Sequence, residues 1–116
     1  MKRLATLLLG GLLAVGPAAA QPVTLINVFE VPQGRLEETI RFWEAARDVL
    51  MRQPGYVSTR LHQSITSEAR FQLINIAVWE SQAAFAAANA RMSQEVRVPP
   101  PEGLRFSAAL FRVVRE

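Results

Sequence analysis

The 116-residue chain contains no cysteine, one histidine, His62, and one lysine, Lys2. Without thiols it has no disulfide framework, no thiolate nucleophile and no thiolate metal site. A cysteine-free chain is compatible with an oxidising compartment. Beyond residue 20 every basic side chain is an arginine, and these are scattered rather than clustered. A scattered pattern excludes the basic stripe of a nucleic-acid surface. There is no internal repeat, and the triplet Pro99–Pro101 is the only low-complexity run. The longest apolar run, in "LATLLLGGLLAVG", is shorter than the roughly 20 residues a membrane span usually takes.

That run belongs to a targeting pattern. Lys2 and Arg3 give a positive start, the apolar run follows, and "PAAA" ends it with small residues. Ala18 and Ala20 fit an A-x-A cleavage site, so residues 1–20 read as a signal peptide cut before Gln21. The alternative is an uncleaved N-terminal anchor. Cleavage would place the protein in the periplasm or outside the cell, with no membrane attachment. Losing Lys2 and Arg3 turns thirteen basic residues into eleven against ten acidic, near +1. Residues 21–116 suffice for one domain but build only a small core.

Local patterning divides this domain into six elements. "VTLINVFEV" (Val23–Val31) is β-branched and aromatic, as a strand requires. After the breaker "PQG", Arg35–Gln53 reads as a helix, with Leu36, Ile40, Trp43, Ala46 and Leu50 on one face. Glu37 and Glu38 suit its first turn. Pro54 and Gly55 end it. Tyr56–Gln63 is a second strand, "SITSEA" a hairpin loop, and Arg70–Glu80 a third strand. Ser81 suits the N-cap of a helix over Gln82–Val96. "PPPEG" stops that helix, and Leu104–Val114 is a fourth strand.

The order βαββαβ predicts an α+β, ferredoxin-like fold: a four-stranded antiparallel sheet with two helices on one face. The other sheet face should then be polar. It is not, because Ile26, Val28, Ile74, Ile76 and Val78 all alternate onto it. The simplest cover is a second copy related by a two-fold axis, a homodimeric α/β barrel.

One strand raises a chemical question. Phe71, Leu73, Asn75, Ala77 and Trp79 share a face, so an amide stands amid apolar side chains. A buried amide without partners is costly. Asn27 repeats the feature on the first strand. Either local partners satisfy these groups, as for most buried polar atoms, or they serve a ligand. The methyl-rich "AAFAAANA" (Ala83–Ala90) fits either close helix–sheet packing or a cavity.

The fragments "TLINVFEVPQG", "PGYVSTRLHQS" and "NIAVWESQAAF", in this order and spacing, resemble the antibiotic biosynthesis monooxygenase family, a dimeric α/β-barrel group. The resemblance runs from Val23 to about Ala90. In members that oxidise anthrones, an Asn and a Trp matching Asn75 and Trp79 line a pocket between sheet and helices. Those members use no flavin, haem or metal, and the deprotonated substrate itself reduces dioxygen. The resemblance therefore implies a cofactor-free monooxygenase acting on an electron-rich aromatic or polyketide-like molecule, with Asn75 and Trp79 as catalytic residues. An amide NH₂ can stabilise a developing phenolate or enolate, and an indole can donate while stacking on a flat ring.

Two departures accompany the likeness. Phe85 stands where an anthrone-oxidising member has Tyr, and "VPPPEG" offers no counterpart to an Arg those enzymes carry. Phe85 and Asn27 are then substrate-binding residues of the pocket wall. Asn27 also keeps the spacing to Gly34 seen in haem-degrading members, but the positions of their helical Trp and axial His hold Ala88 and Val98. His62, read on one strand face with Tyr56, Ser58 and Arg60, is either a general base or a structural or surface residue. Trp43 reads as core and Arg60 as a solvated or interface charge. Two other functions fit the same pocket: a non-catalytic small-molecule binder, and an isomerase or degrader of a small carbonyl signal.

Overall fold

The computed structural model describes residues 21–116, and the signal segment expected at 1–20 lies outside the described residues. The elements run β1 (Val23–Glu30), α1 (Leu36–Leu50), β2 (Tyr56–Gln63), β3 (Leu73–Trp79), α2 (Gln82–Glu95) and β4 (Arg105–Phe111). The strands form one antiparallel sheet in the order β2-β3-β1-β4. This is the ferredoxin-like α+β architecture with the expected element order.

Alternation decides the faces. Along β3, Leu73, Asn75, Ala77 and Trp79 are buried, while Ile76 between them is 39% exposed. β1 matches it across the ladder, Leu25 facing Ala77 and Asn27 facing Asn75. The helices cover this side: Leu25, Ala77, Trp79 and Ala88 of α2 form the core cluster, with Leu50 of α1, Phe85 and Tyr56 packed against it. Ser81 caps α2 as its sequence suggests, its Oγ accepting from the Ala84 N–H at 3.0 Å. α1 lacks a side-chain cap. Instead Thr39, fully buried, returns its hydroxyl to the Arg35 carbonyl at 2.8 Å.

Several elements are shorter than their composition suggests. β3 begins at Leu73, not Arg70. Gln72 donates its amide to the Ala69 and Ser67 carbonyls at 2.7 and 3.2 Å, and Arg70 stacks on Phe71. Their side chains serve the loop, although the Gln72 carbonyl still accepts from the Ser64 N–H at 2.9 Å. β4 ends at Phe111, and beyond it Val113 and Val114 are largely exposed. α1 closes at Leu50 because the Arg52 and Gln53 N–H groups bond three residues back, to Val49 and Leu50.

One irregularity shapes the site. A register shift between Tyr56 and Ser58 in β2 places Tyr56 opposite Trp79 and Thr59 opposite Ala77. A bulge of this kind flips the alternation. Tyr56 and Thr59 therefore face the helices, whereas Ser58, Arg60 and His62 face away, opposite Val78, Ile76 and Ile74. The shared face expected for Tyr56 and His62 is corrected accordingly.

Candidate functional site

Between the helix-covered sheet face and the two helices lies a cavity of about 380 Å³. Its floor carries Leu25, Asn27, Phe29, Thr59, Asn75, Ala77 and Trp79. α1 adds Phe42, Trp43, Ala46, Arg47 and Leu50, and α2 adds Phe85, Asn89 and Met92. Tyr56, Phe106 and Ala108 complete the wall. The volume lies near the lower end of the roughly 300–1,000 Å³ typical of small-molecule sites.

Asn75 is 6% exposed, and its Oδ1 accepts the Thr59 hydroxyl at 2.7 Å. An amide whose oxygen is held in this way presents its NH₂ as the remaining polar end. Asn27 sits directly across the ladder on the same face. Its Oδ1 is buried with no hydrogen-bond partner, and so is Nε1 of Trp79, which is only 1% exposed. Orphaned buried polar atoms are rare and call for a partner. Here one acceptor and one donor stand orphaned among the residues of a single cavity.

The aromatic side chains hold Trp79 in place. Tyr56 meets it edge-on at 5.6 Å between centroids and 80°, and Phe85 does so at 5.7 Å and 67°. Phe106 of β4 leans on Phe29 and Phe42 at 5.9 and 6.3 Å. Such tilted contacts suit ring quadrupoles and fix the walls.

Of the side chains singled out in the sequence, Asn75, Trp79, Asn27 and Phe85 come together around this cavity. His62 does not. It is exposed on the opposite sheet face, so the reading of His62 as a general base for this cavity is corrected. Trp43, read as core, instead lines the cavity. Ala88, at the position of the helical Trp, is buried in the core, and Val98, at the position of the axial His, is 43% exposed and has no ligating atom. Among the described residues, no group of three or more His, Cys, Asp or Glu stands where it could hold a metal ion. Sequence reasoning missed Thr59, Tyr56, Arg47 and Asn89. The bulge that turns Tyr56 and Thr59 inward leaves no mark in composition. Arg47, by contrast, lies one helical turn after Trp43, which is a legible signal.

Solved structures and a curated protein share the fold or the sequence pattern. A protein of Shewanella loihica PV-4, provisionally named a monooxygenase, is 51% identical, with 83% of this chain and 97% of that chain covered and a TM-score of 0.77. SnoaB of Streptomyces nogalater, a cofactor-independent oxygenase, superposes with a TM-score of 0.64 at 25% identity, over 84% of this chain and 97% of that one. At the same TM-score and 26% identity stands a variant of MhuD holding two manganese protoporphyrins per active site, over 81% of this chain and 96% of that one. Tetracenomycin-F1 monooxygenase of Streptomyces glaucescens is 37% identical over 68 residues. That match spans 58% of this chain and about 58% of the relative's length. The profile described as antibiotic biosynthesis monooxygenase matches residues 22–97, and the chain belongs to that family.

Proposed function

We propose that the protein is a cofactor-independent monooxygenase that oxidises an electron-rich aromatic or polyketide-like molecule with dioxygen. The observation that carries this reading is the Thr59–Asn75 hydrogen bond at 2.7 Å, which turns an amide NH₂ toward a largely apolar cavity. The likeness to SnoaB and tetracenomycin-F1 monooxygenase supports it.

The substrate supplies the electrons. A CH₂ held between aryl rings that are conjugated to a ketone, as in an anthrone, loses a proton, and the charge delocalises onto oxygen. Asn75 donates to that oxygen, in surroundings where such a bond is worth more than in water. The carbanion passes an electron to dioxygen. The radicals join in a C–O bond, and the peroxide anion takes up a proton. Loss of water from the hydroperoxide leaves a carbonyl, so one oxygen atom enters the product and the other leaves as water. Among the described lining residues there is no carboxylate and no imidazole. The departing proton therefore goes to water at the mouth rather than to a side-chain base. Tyr56 brings a phenol to the wall that Phe85 does not.

A haem-dependent reaction fits poorly, because no imidazole lines this cavity and the family's axial position is the exposed Val98. Non-catalytic binding is the competing reading, favoured by Phe85 in place of a phenol. An oxygen electrode with a panel of anthrones and hydroquinones separates the two. Uptake above the uncatalysed rate, with ¹⁸O from dioxygen in the product, supports oxidation. Binding without uptake supports the binder.

The proposal includes a homodimer joined through the outer sheet face, and export with cleavage before Gln21. Recovery of a soluble cytoplasmic form that still carries residues 1–20, detected by mass spectrometry, counts against export.

A further inference from the structure

We propose that the ligand of the cavity is an anion: a fused aromatic whose carboxylate or ionised phenol is bound by Arg47 at the mouth. This deepens the reading above and rests on it only for the identity of the site.

Among the described residues that line the cavity, Arg47 is the one charged side chain. Its position is built. Arg47 follows Trp43 by one helical turn, and its guanidinium lies 5.2 Å from the centre of the indole ring. Stacking on an aromatic face suits the planar, weakly hydrated guanidinium and restrains a side chain that would otherwise wander. Trp43 is itself a wall residue, so the restrained charge is held at the cavity and not on the outer helix face. The Arg47 side chain is 34% exposed, which places it at the mouth and not in the floor.

Its present partner is weak. Nε and Nη2 both reach one oxygen of Asp48, at 3.1 and 3.0 Å, and the Asp48 side chain is 57% exposed. An exposed pair between sequence neighbours contributes little. It also leaves the Nη1 edge of the fork, with its donors, for a second acceptor.

The remainder of the lining fixes the rest of the ligand. Phe42, Trp43 and Phe106 offer aromatic surface, which favours flat rings. A permanent charge placed deeper would be held by neutral donors alone, whereas beside Arg47 it meets an opposite charge. The charged group therefore stays beside Arg47 while the rings enter. A ligand oxygen at the inner end reaches Asn75.

The test is calorimetric binding, which needs no turnover. The probes are anthraquinone-2-carboxylate and its neutral isostere, anthraquinone-2-carboxamide. The wild-type protein should prefer the carboxylate by at least about tenfold, the size of one charge-assisted hydrogen bond. Arg47→Gln should erase that preference with little change in carboxamide binding, and Arg47→Lys should keep part of it. Asp48→Asn should strengthen it, because the competing carboxylate is gone. Added salt should shrink it. Equal affinity for the two probes, or a preference that survives in Arg47→Gln, overturns the proposal and leaves the oxidation reading standing. Binding of neither probe overturns both. Carboxylate preference without oxygen uptake sustains this proposal and removes only the oxidation.

Discussion

At the scale of single residues, the site depends on which end of one amide faces the cavity. Asn75 alone could rotate its amide either way. In the structure the Thr59 hydroxyl donates to Oδ1 at 2.7 Å, which leaves the NH₂ end of the amide for the cavity. Thr59→Val keeps the shape and removes the hydroxyl donor. The buried acceptor is then unsatisfied, at a cost of about 1–3 kcal/mol. A denaturant midpoint lowered by that amount, restored in Thr59→Ser, is the expected outcome. A Val variant as stable and as active as the wild type would show that the hydroxyl does not position the amide. Phe85→Tyr probes the missing phenol at the position where the family's anthrone oxidisers carry Tyr. It should raise a weak oxygenase rate, measured by oxygen uptake under saturating substrate. An unchanged rate would assign the phenol's role to Tyr56 or to no residue.

At the scale of elements, the fold was largely legible because each segment repeats its own period. The alternation in β3 predicted that Asn75 and Trp79 share the helix-covered face, and they do. The apolar spacing in α1 points to Trp43, Ala46 and Leu50, which line the cavity, but not to Thr39 and Val49, the buried residues of the helix. What composition could not show was where the ladder slips. The shift between Tyr56 and Ser58 turns Thr59 inward and sends His62 outward, and no residue type announces it. Strand ends were misread for a related reason. Phe71, Val113 and Val114 are good strand formers, but the ladder extends only where a partner strand is present. The junction ahead of β2 has its own constraint. Gly55 has φ +89°, and a Cβ there would overlap that of Ala84 in α2. The small residues of α2 thus serve close packing at Ala84, while Phe85, Asn89 and Met92 border the cavity. Gly55→Ala should cost about 1–2 kcal/mol from backbone conformation alone, and more from the collision. A melting temperature equal to wild type would contradict this account of the junction.

At the scale of the whole molecule, the outer sheet face is the main unsatisfied feature. Ile26, Val28, Ile74, Ile76 and Val78 form its centre, and Ser58, Arg60 and His62 of the edge strand β2 rim it. An apolar centre with a polar rim is the anatomy of an interface. A monomer seldom leaves so continuous a patch in water. Light scattering at micromolar concentration should therefore report the mass of two chains, and a single-chain mass would contradict the dimer. Ile76→Glu places a charge without a partner in the buried centre and should yield aggregation or unfolding. In the proposed dimer His62 would lie at the rim of the interface, on the sheet face opposite the cavity.

The central claim is that Asn75 donates a hydrogen bond to a developing oxyanion. Its most direct test is the turnover number of Asn75→Ala on an anthrone, measured beside its melting temperature. Turnover should fall about a hundredfold, the effect of losing one such donor worth about 3 kcal/mol, with the fold retained. A lowered melting temperature with turnover and ligand affinity unchanged would make Asn75 a structural residue and contradict the claim.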